Sequence, residues 1–266
     1  MTIPTIFLHG FNGDVSSTNQ MIVAAERELN LHKSMLIYVN FSGEITYLDD
    51  GLLQDHNPII QIVFQNRFAL HKFRINKLYE IVKYLKSHYH IQKINGIGHS
   101  LGANYFVDLE LMYGSSEKLP KLNKLVTIAG LFNGMFGFLD RCGLTSILSN
   151  GAPKHMTYEY KQRLKYKNCF PSGIRLLNVI GKSDPIHNND HWVSFSSARS
   201  VKFLLQDRLE SYEEYIVTGP MGEHTALNRN SDVEHTVNEF IWSNDSKNKE
   251  FVSDNKQVNL KIRKII

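Results

Sequence analysis

The sequence predicts an α/β fold, a mostly parallel, doubly wound sheet with helices on both faces. Three observations predict it. Apolar runs of strand length alternate with segments of helical periodicity along most of the 266 residues. Most of these runs are continuous rather than alternating, as strands buried on both faces must be. Several end in glycine, at what would be the carboxyl edge, where open α/β sheets bind their ligands.

The runs IPTIFLHG (3–10) and SMLIYVNF (34–41) open the series. Residues 42–70 break the alternation: GEITYL and NPIIQIVF, separated by polar residues, read as an extra hairpin. In INKLYEIVKYLKSH, Leu78, Ile81, Val82 and Leu85 fall on one helical face. KINGIG (93–98) is the next strand, followed by LGANYFVDLELMY, a helix expected to turn Phe106, Leu109 and Met112 inward. KLVTIAG (124–130) precedes a long irregular stretch, residues 133–172. An insertion of that length between two core strands reads as a lid, or as a pair of short helices padding the edge. The strands IRLLNVIG (174–181) and YEEYIVTG (212–219) then alternate with the helices SSARSVKFLLQ and VEHTVNEFIW. One domain is expected over 1–245, with 246–266 as a C-terminal tail.

Composition narrows the classes. Apolar residues make up 42% and charged residues 21%, which is globular rather than disordered. Thirty basic against 26 acidic residues leave a net charge of +4, spread out apart from the terminal NLKIRKII. A nucleic-acid partner, which wants a clustered basic face, is therefore not expected. No apolar run approaches a membrane span, so no transmembrane segment is expected. Cys142 and Cys169 are too few for a disulfide framework and could pair or stay free. MTIPTIFLHG enters a strand with no charged leader before it. The expected location is cytoplasmic, or exported or cell-surface if a leader has been removed.

The junction GIGHSLG carries the chemistry. Gly98 and Gly102 flank Ser100 at −2 and +2, between a strand and a helix, which is the nucleophile-elbow pattern. The turn is tight enough that side chains at the flanking positions would collide with neighbouring elements. It leaves the serine hydroxyl exposed at a helix N-terminus, whose dipole favours developing negative charge. A serine needs a base, and the base an orienting acid. In this architecture they follow in the order Ser, acid, His. KSDPIHNNDHWV offers Asp184 and Asp190, and PMGEHTALNRN offers His224. The oxyanion hole is expected from the backbone N–H groups of Leu101, just after the nucleophile, and Phe11, in LHGFNG after the first strand. His9 is expected to orient that loop, and His99 to be a packing and hydrogen-bonding neighbour. Asp184, His187, Asp190 and His191 look superficially like metal ligands, but one loop supplying every ligand without cysteine is a weak signal. No metal and no cofactor are expected. Phe132, Phe136 and Phe138 fit an acyl pocket or a core equally well.

The combination of IFLHGFNG, GHSLGANYF, IAGLFNGM, NNDHWVSFSSARSVKFLL and GEHTALNRNSDVEHTVNEFIW resembles the Gram-positive cell-surface α/β-hydrolases of unknown function, a lipase- and esterase-like family. The resemblance covers residues 3–242. It implies the α/β-hydrolase fold with an inserted lid-like segment. That family's acid motif, Asp-Gly-x-Val followed by a Ser-Ser run, matches Asp190-His191-Trp192-Val193 with Ser196-Ser197. The resemblance thus implies Asp190 as the acid. Spacing from the strand end favours Asp184, which stays as the alternative. His191 stands where the family has glycine. The expected activity is serine-dependent hydrolysis of a small carboxylic ester through an acyl-enzyme. Thioester or amide cleavage, or a binding protein on a hydrolase fold, are the alternatives.

Overall fold

The computed structural model describes residues 3–49, 51–52, 55–135, 146–184, 186–243 and 260–264. Nine strands form one sheet, in the order β3-β2-β4-β1-β5-β6-β7-β8-β9. In chain order these are β1 (Thr5–Leu8), β2 (Lys33–Val39), β3 (Ile45–Asp49), β4 (Ile59–Phe64), β5 (Lys93–His99), β6 (Lys121–Ile128), β7 (Ile174–Lys182), β8 (Leu209–Thr218) and β9 (Leu260–Lys264). Among the described strands, only β3 runs antiparallel to its neighbour. β9, inside the stretch expected to be a tail, pairs parallel with β8 at the sheet edge.

The helices are α1 (Ser16–Leu29), α2 (His71–Tyr89), α3 (Leu101–Tyr113), α4 (Tyr158–Tyr166), α5 (Phe195–Leu205) and α6 (Ser231–Trp242). Side chains alternate across each strand, so β1 sends Ile6 and Leu8 into one core and Phe7 into the other. The first core holds the apolar faces of α2, α3 and α5, and the second those of α1 and α6. This is the doubly wound arrangement expected of continuous apolar strands. The apolar stripe of α2 is buried as anticipated. Met112 is not: it is exposed, whereas every residue of α3 from Gly102 to Leu111 is buried. The helix is covered nearly all round, so its apolar residues do not mark one face.

One further expectation needs correction. Residues 42–70 do not form a hairpin of their own. β3 pairs with β2, while β4 inserts between β2 and β1, parallel to both. The reason is burial: all six residues of IIQIVF are buried, and only an interior strand supplies cover on both faces. Gln61, the polar exception, donates to the Val15 carbonyl and the Thr18 hydroxyl, both 2.8 Å away. Helix α1 was not anticipated, although Thr18, Met21, Ile22 and Ala25 recur at helical spacing and Asn30 ends it in the left-handed region.

Of the 133–172 insertion, residues 136–145 lie outside the described residues, and Phe136, Phe138 and Cys142 with them. Phe132 is fully buried in the first core. Within the described remainder, α4 is tied to α3 by a buried ion pair. Arg163 donates from Nε and Nη2 to the two Asp108 oxygens, each at 2.7 Å, and from Nη1 to the Phe132 carbonyl. His71 Nε2 completes the set on Asp108 at 2.7 Å. Burial pushes the Asp108 carboxyl up, but Arg163 and His71 outweigh it and hold the group near 2, below its ordinary 3.8. The stabilisation is therefore present above pH 3.8 and lost as pH falls through about 2. Arg163→Leu leaves a buried carboxylate without its main partner. We expect a loss of about 3–5 kcal/mol at pH 7, read by urea unfolding. A loss below about 1 kcal/mol would mean that water or His71 compensates the charge.

Candidate active site

The chain adds β2 to β4 on one side of β1 and β5 to β9 on the other. The carboxyl ends of β1 and β5 therefore flank the point where winding reverses, the place open α/β sheets reserve for ligands. Ser100 follows β5 there. Its φ of 56° and ψ of −124° lie far from helix and strand, and Ser100 N–H still donates to the Ile128 carbonyl at 2.8 Å. The flanking glycines are required by space. A Cβ on Gly102 would lie 2.3 Å from the Leu8 carbonyl oxygen, and one on Gly98 2.5 Å from the Ala103 nitrogen.

Three of the expected residues come together. Ser100 Oγ lies 3.0 Å from His224 Nε2, and His224 Nδ1 lies 2.8 Å from Asp190 Oδ2. Because a carboxylate can only accept, Nδ1 carries the imidazole proton and Nε2 is left to accept from the serine hydroxyl. Asp190 is 1% exposed. Its other oxygen accepts from the N–H groups of Trp192 and Val193, at 2.9 and 2.6 Å. The alternative acid is elsewhere: Asp184 Oδ2 pairs with His187 Nδ1 at 2.6 Å on the surface. His191 has a φ of 79°, in the left-handed region that glycine enters freely, which gives the family's glycine at this position a physical reason. Among the described residues no group of three His, Cys, Asp or Glu side chains is arranged to hold a metal. Cys169 is free and exposed.

Two other histidines brace the site. His99 Nε2 donates to the His224 carbonyl at 2.9 Å, and burial lowers its imidazole to about 3, so it stays neutral. His9 is neutral too, lowered to about 4 chiefly by burial. Its Nδ1–H donates to the Gly10 carbonyl at 2.7 Å and its Nε2 accepts from Phe64 N–H at 2.9 Å. In a trans peptide the carbonyl and the following N–H point opposite ways. Drawing the Gly10 carbonyl onto His9 therefore turns the Phe11 N–H away from it. Leu101 opens α3, so its N–H has no acceptor within the helix.

Gly10, Phe11, Ser100, Leu101 and His224 all line one cavity of about 520 Å³. Leu131, Met135, Trp192 and Val193 add apolar wall, and Ser16, Ser17, Asn228 and Arg229 add polar wall. These wall residues were not anticipated. Ser16 and Ser17 open α1, Trp192 and Val193 follow Asp190, Asn228 and Arg229 follow His224, and folding brings these loops together around the serine. Gly10 lies directly against the elbow, where a Cβ would lie 2.7 Å from Ser100 Cβ and 3.2 Å from Ser100 Oγ. Gly10→Ala must displace either the elbow or the Phe11 loop. We expect kcat/KM for a short ester to fall about 10²-fold with the circular dichroism unchanged, since misplacing a reacting group by about 1 Å costs that much. Unaltered kinetics would mean the loop yields freely.

Fold and site together define the class: an α/β hydrolase. The family model described as alpha/beta hydrolase of unknown function (DUF915) matches residues 1–244, and the chain belongs to that family. No curated protein matches it. Among solved structures, the product of the gene lin2722 from Listeria innocua is 21% identical, with a TM-score of 0.85 and 98% of both chains covered. A candidate cell-surface hydrolase from Lactobacillus plantarum WCFS1 is also 21% identical, with a TM-score of 0.74 over 94% of this chain and 96% of that one. The Pyrococcus furiosus esterase Pf2001 is 16% identical, with a TM-score of 0.51 over 90% and 82%. At these identities the likeness concerns the fold. Among the described residues no helix is long and apolar enough to cross a membrane.

Proposed function

We propose that the protein hydrolyses carboxylic esters through a covalent acyl-serine. The observation that carries this reading is the relay of hydrogen bonds Ser100–His224–Asp190, 3.0 and 2.8 Å long, at the wall of the cavity. In the first half-reaction Ser100 Oγ attacks the ester carbonyl while His224 Nε2 takes its proton. Asp190, fixed by the Trp192 and Val193 N–H groups, holds the imidazole in the useful tautomer and stabilises the imidazolium. The Phe11 and Leu101 N–H groups hold the oxyanion. His224 returns the proton to the departing alcohol. Water, deprotonated by the same nitrogen, then releases the acid and restores Ser100.

No step calls for a cofactor. Thioester or amide substrates would use the same atoms, and the apolar wall suits an acyl chain. Met135 makes the 133–172 insertion our candidate for the segment that limits the length of that chain. The test is hydrolysis of p-nitrophenyl acetate and butyrate by the folded protein and by Ser100→Ala. Turnover that depends on Ser100 supports the reading. Equal background rates for the two proteins would refute it.

A further inference from the structure

Arg229 is the one permanently charged side chain among the described residues lining the cavity, and no Asp or Glu lines it. It is exposed and ends the short turn Ala226–Arg229, which begins two residues after His224. Three arginines elsewhere are occupied, Arg163 by Asp108, Arg199 by Glu214 and Arg208 by the Phe170 carbonyl. Among the described residues, the Arg229 side chain has no hydrogen-bond partner and no carboxylate within ion-pair distance.

Two acids on loops that reach the same cavity are occupied. Asp14 accepts from the Ser16 N–H and hydroxyl, and Glu223 from the Thr225 N–H and hydroxyl and the Ala226 N–H. Asp232, three residues on in the first turn of α6, is exposed and forms no ion pair with Arg229. The base of Arg229 is also held in place. Leu227 is fully buried, and Asn228 donates to the Ser17 carbonyl at 3.3 Å. Asn230 caps α6 by accepting from Asp232 N–H and Val233 N–H.

A guanidinium at the mouth of a cleft with apolar walls focuses its field into the cleft. Its planar fork also matches carboxylate and phosphate oxygens in pairs. We infer that Arg229 determines specificity, and that the substrate is an ester bearing an anionic group, a carboxylate or a phosphate monoester, a few bonds from the scissile carbonyl. The inference rests on the serine-hydrolase reading above. It adds what that reading leaves open, the charge of the substrate.

The experiment uses matched esters: p-nitrophenyl butyrate against mono-p-nitrophenyl succinate, and 1-butyrylglycerol against 1-butyrylglycerol 3-phosphate. Wild type, Arg229→Gln and Arg229→Glu are compared at low and high salt. In at least one pair the anionic ester should have a kcat/KM about five- to tenfold higher, as one charge-assisted pair at an open site provides. The preference should vanish in Arg229→Gln, reverse in Arg229→Glu and shrink with salt, while neutral esters change less than about twofold. The responding pair tells carboxylate from phosphate. If neutral esters turn over but no anionic preference exists, or if it survives Arg229→Gln, the inference falls and the hydrolase reading stands. If none of the four turns over, the substrate assignment is overturned, and labelling of Ser100 by a fluorophosphonate then decides whether the hydrolase reading falls too.

Discussion

Ser100→Ala is expected to lower turnover of a short ester by about 10⁴- to 10⁶-fold while leaving the fold in place. Alanine keeps the Cβ, so the backbone at φ 56° is no more strained than before, and the N–H bond to the Ile128 carbonyl survives. Only the hydroxyl goes, and with it the single bond to His224. A neutral bond of that kind contributes about 1 kcal/mol, so the unfolding midpoint should hardly move. The residual rate should be that of an oxyanion hole acting on bound ester with water alone.

The second large effect separates the two candidate acids. Asp190→Asn should reduce kcat by about 10⁴, whereas Asp184→Asn should stay within about threefold of wild type. Asparagine at 190 can still accept from Trp192 and Val193 N–H with its one carbonyl oxygen. Its amide then faces His224 Nδ1 with a donor. The imidazole must accept there, its proton moves to Nε2, and Nε2 can no longer take a proton from Ser100. Asp184 has no such link, since its partner is His187 at the surface. Kinetics of both variants on one ester decide the point; a loss of activity on Asp184→Asn alone would reverse the assignment.

The acid is also where spacing and structure part. β7 ends at Lys182, which favours Asp184 by distance along the chain. The loop, however, folds back on itself through bridges between Asp184 and Asn189 and between Asn189 and Ser194. That return sets Asp190 against the strand end, so close that a Cβ on Gly181 would lie 2.9 Å from Asp190 Cβ. Distance along a chain says little once a loop doubles back. The resemblance to known hydrolases pointed to Asp190 because it carries the loop's shape with it.

The elbow was legible for the opposite reason. Its glycines are dictated by contacts two residues either side of Ser100, a local requirement that any sequence must meet in the same way. The order in which the chain brings Ser100, Asp190 and His224 together follows from its path and was legible as well. What sequence periodicity missed is set by tertiary cover. β4 reads as half of a hairpin until its six buried residues are seen to need neighbours on both sides. Met112 lies at helical spacing from buried residues yet faces out, because α3 is enclosed along most of its length. Arg229 lies in the stretch that carries His224, yet only the packing of its turn against α1, through Asn228 and the Ser17 carbonyl, shows that it lines the cavity.

Whether Ser100 is an activated nucleophile is read directly by fluorophosphonate labelling of the folded protein, with the modified residue located by peptide mass spectrometry. One adduct is expected, on Ser100, absent from Ser100→Ala, slowed in Asp190→Asn and unchanged in Asp184→Asn. No adduct on the folded protein, or an adduct on a different residue, would contradict that role for Ser100.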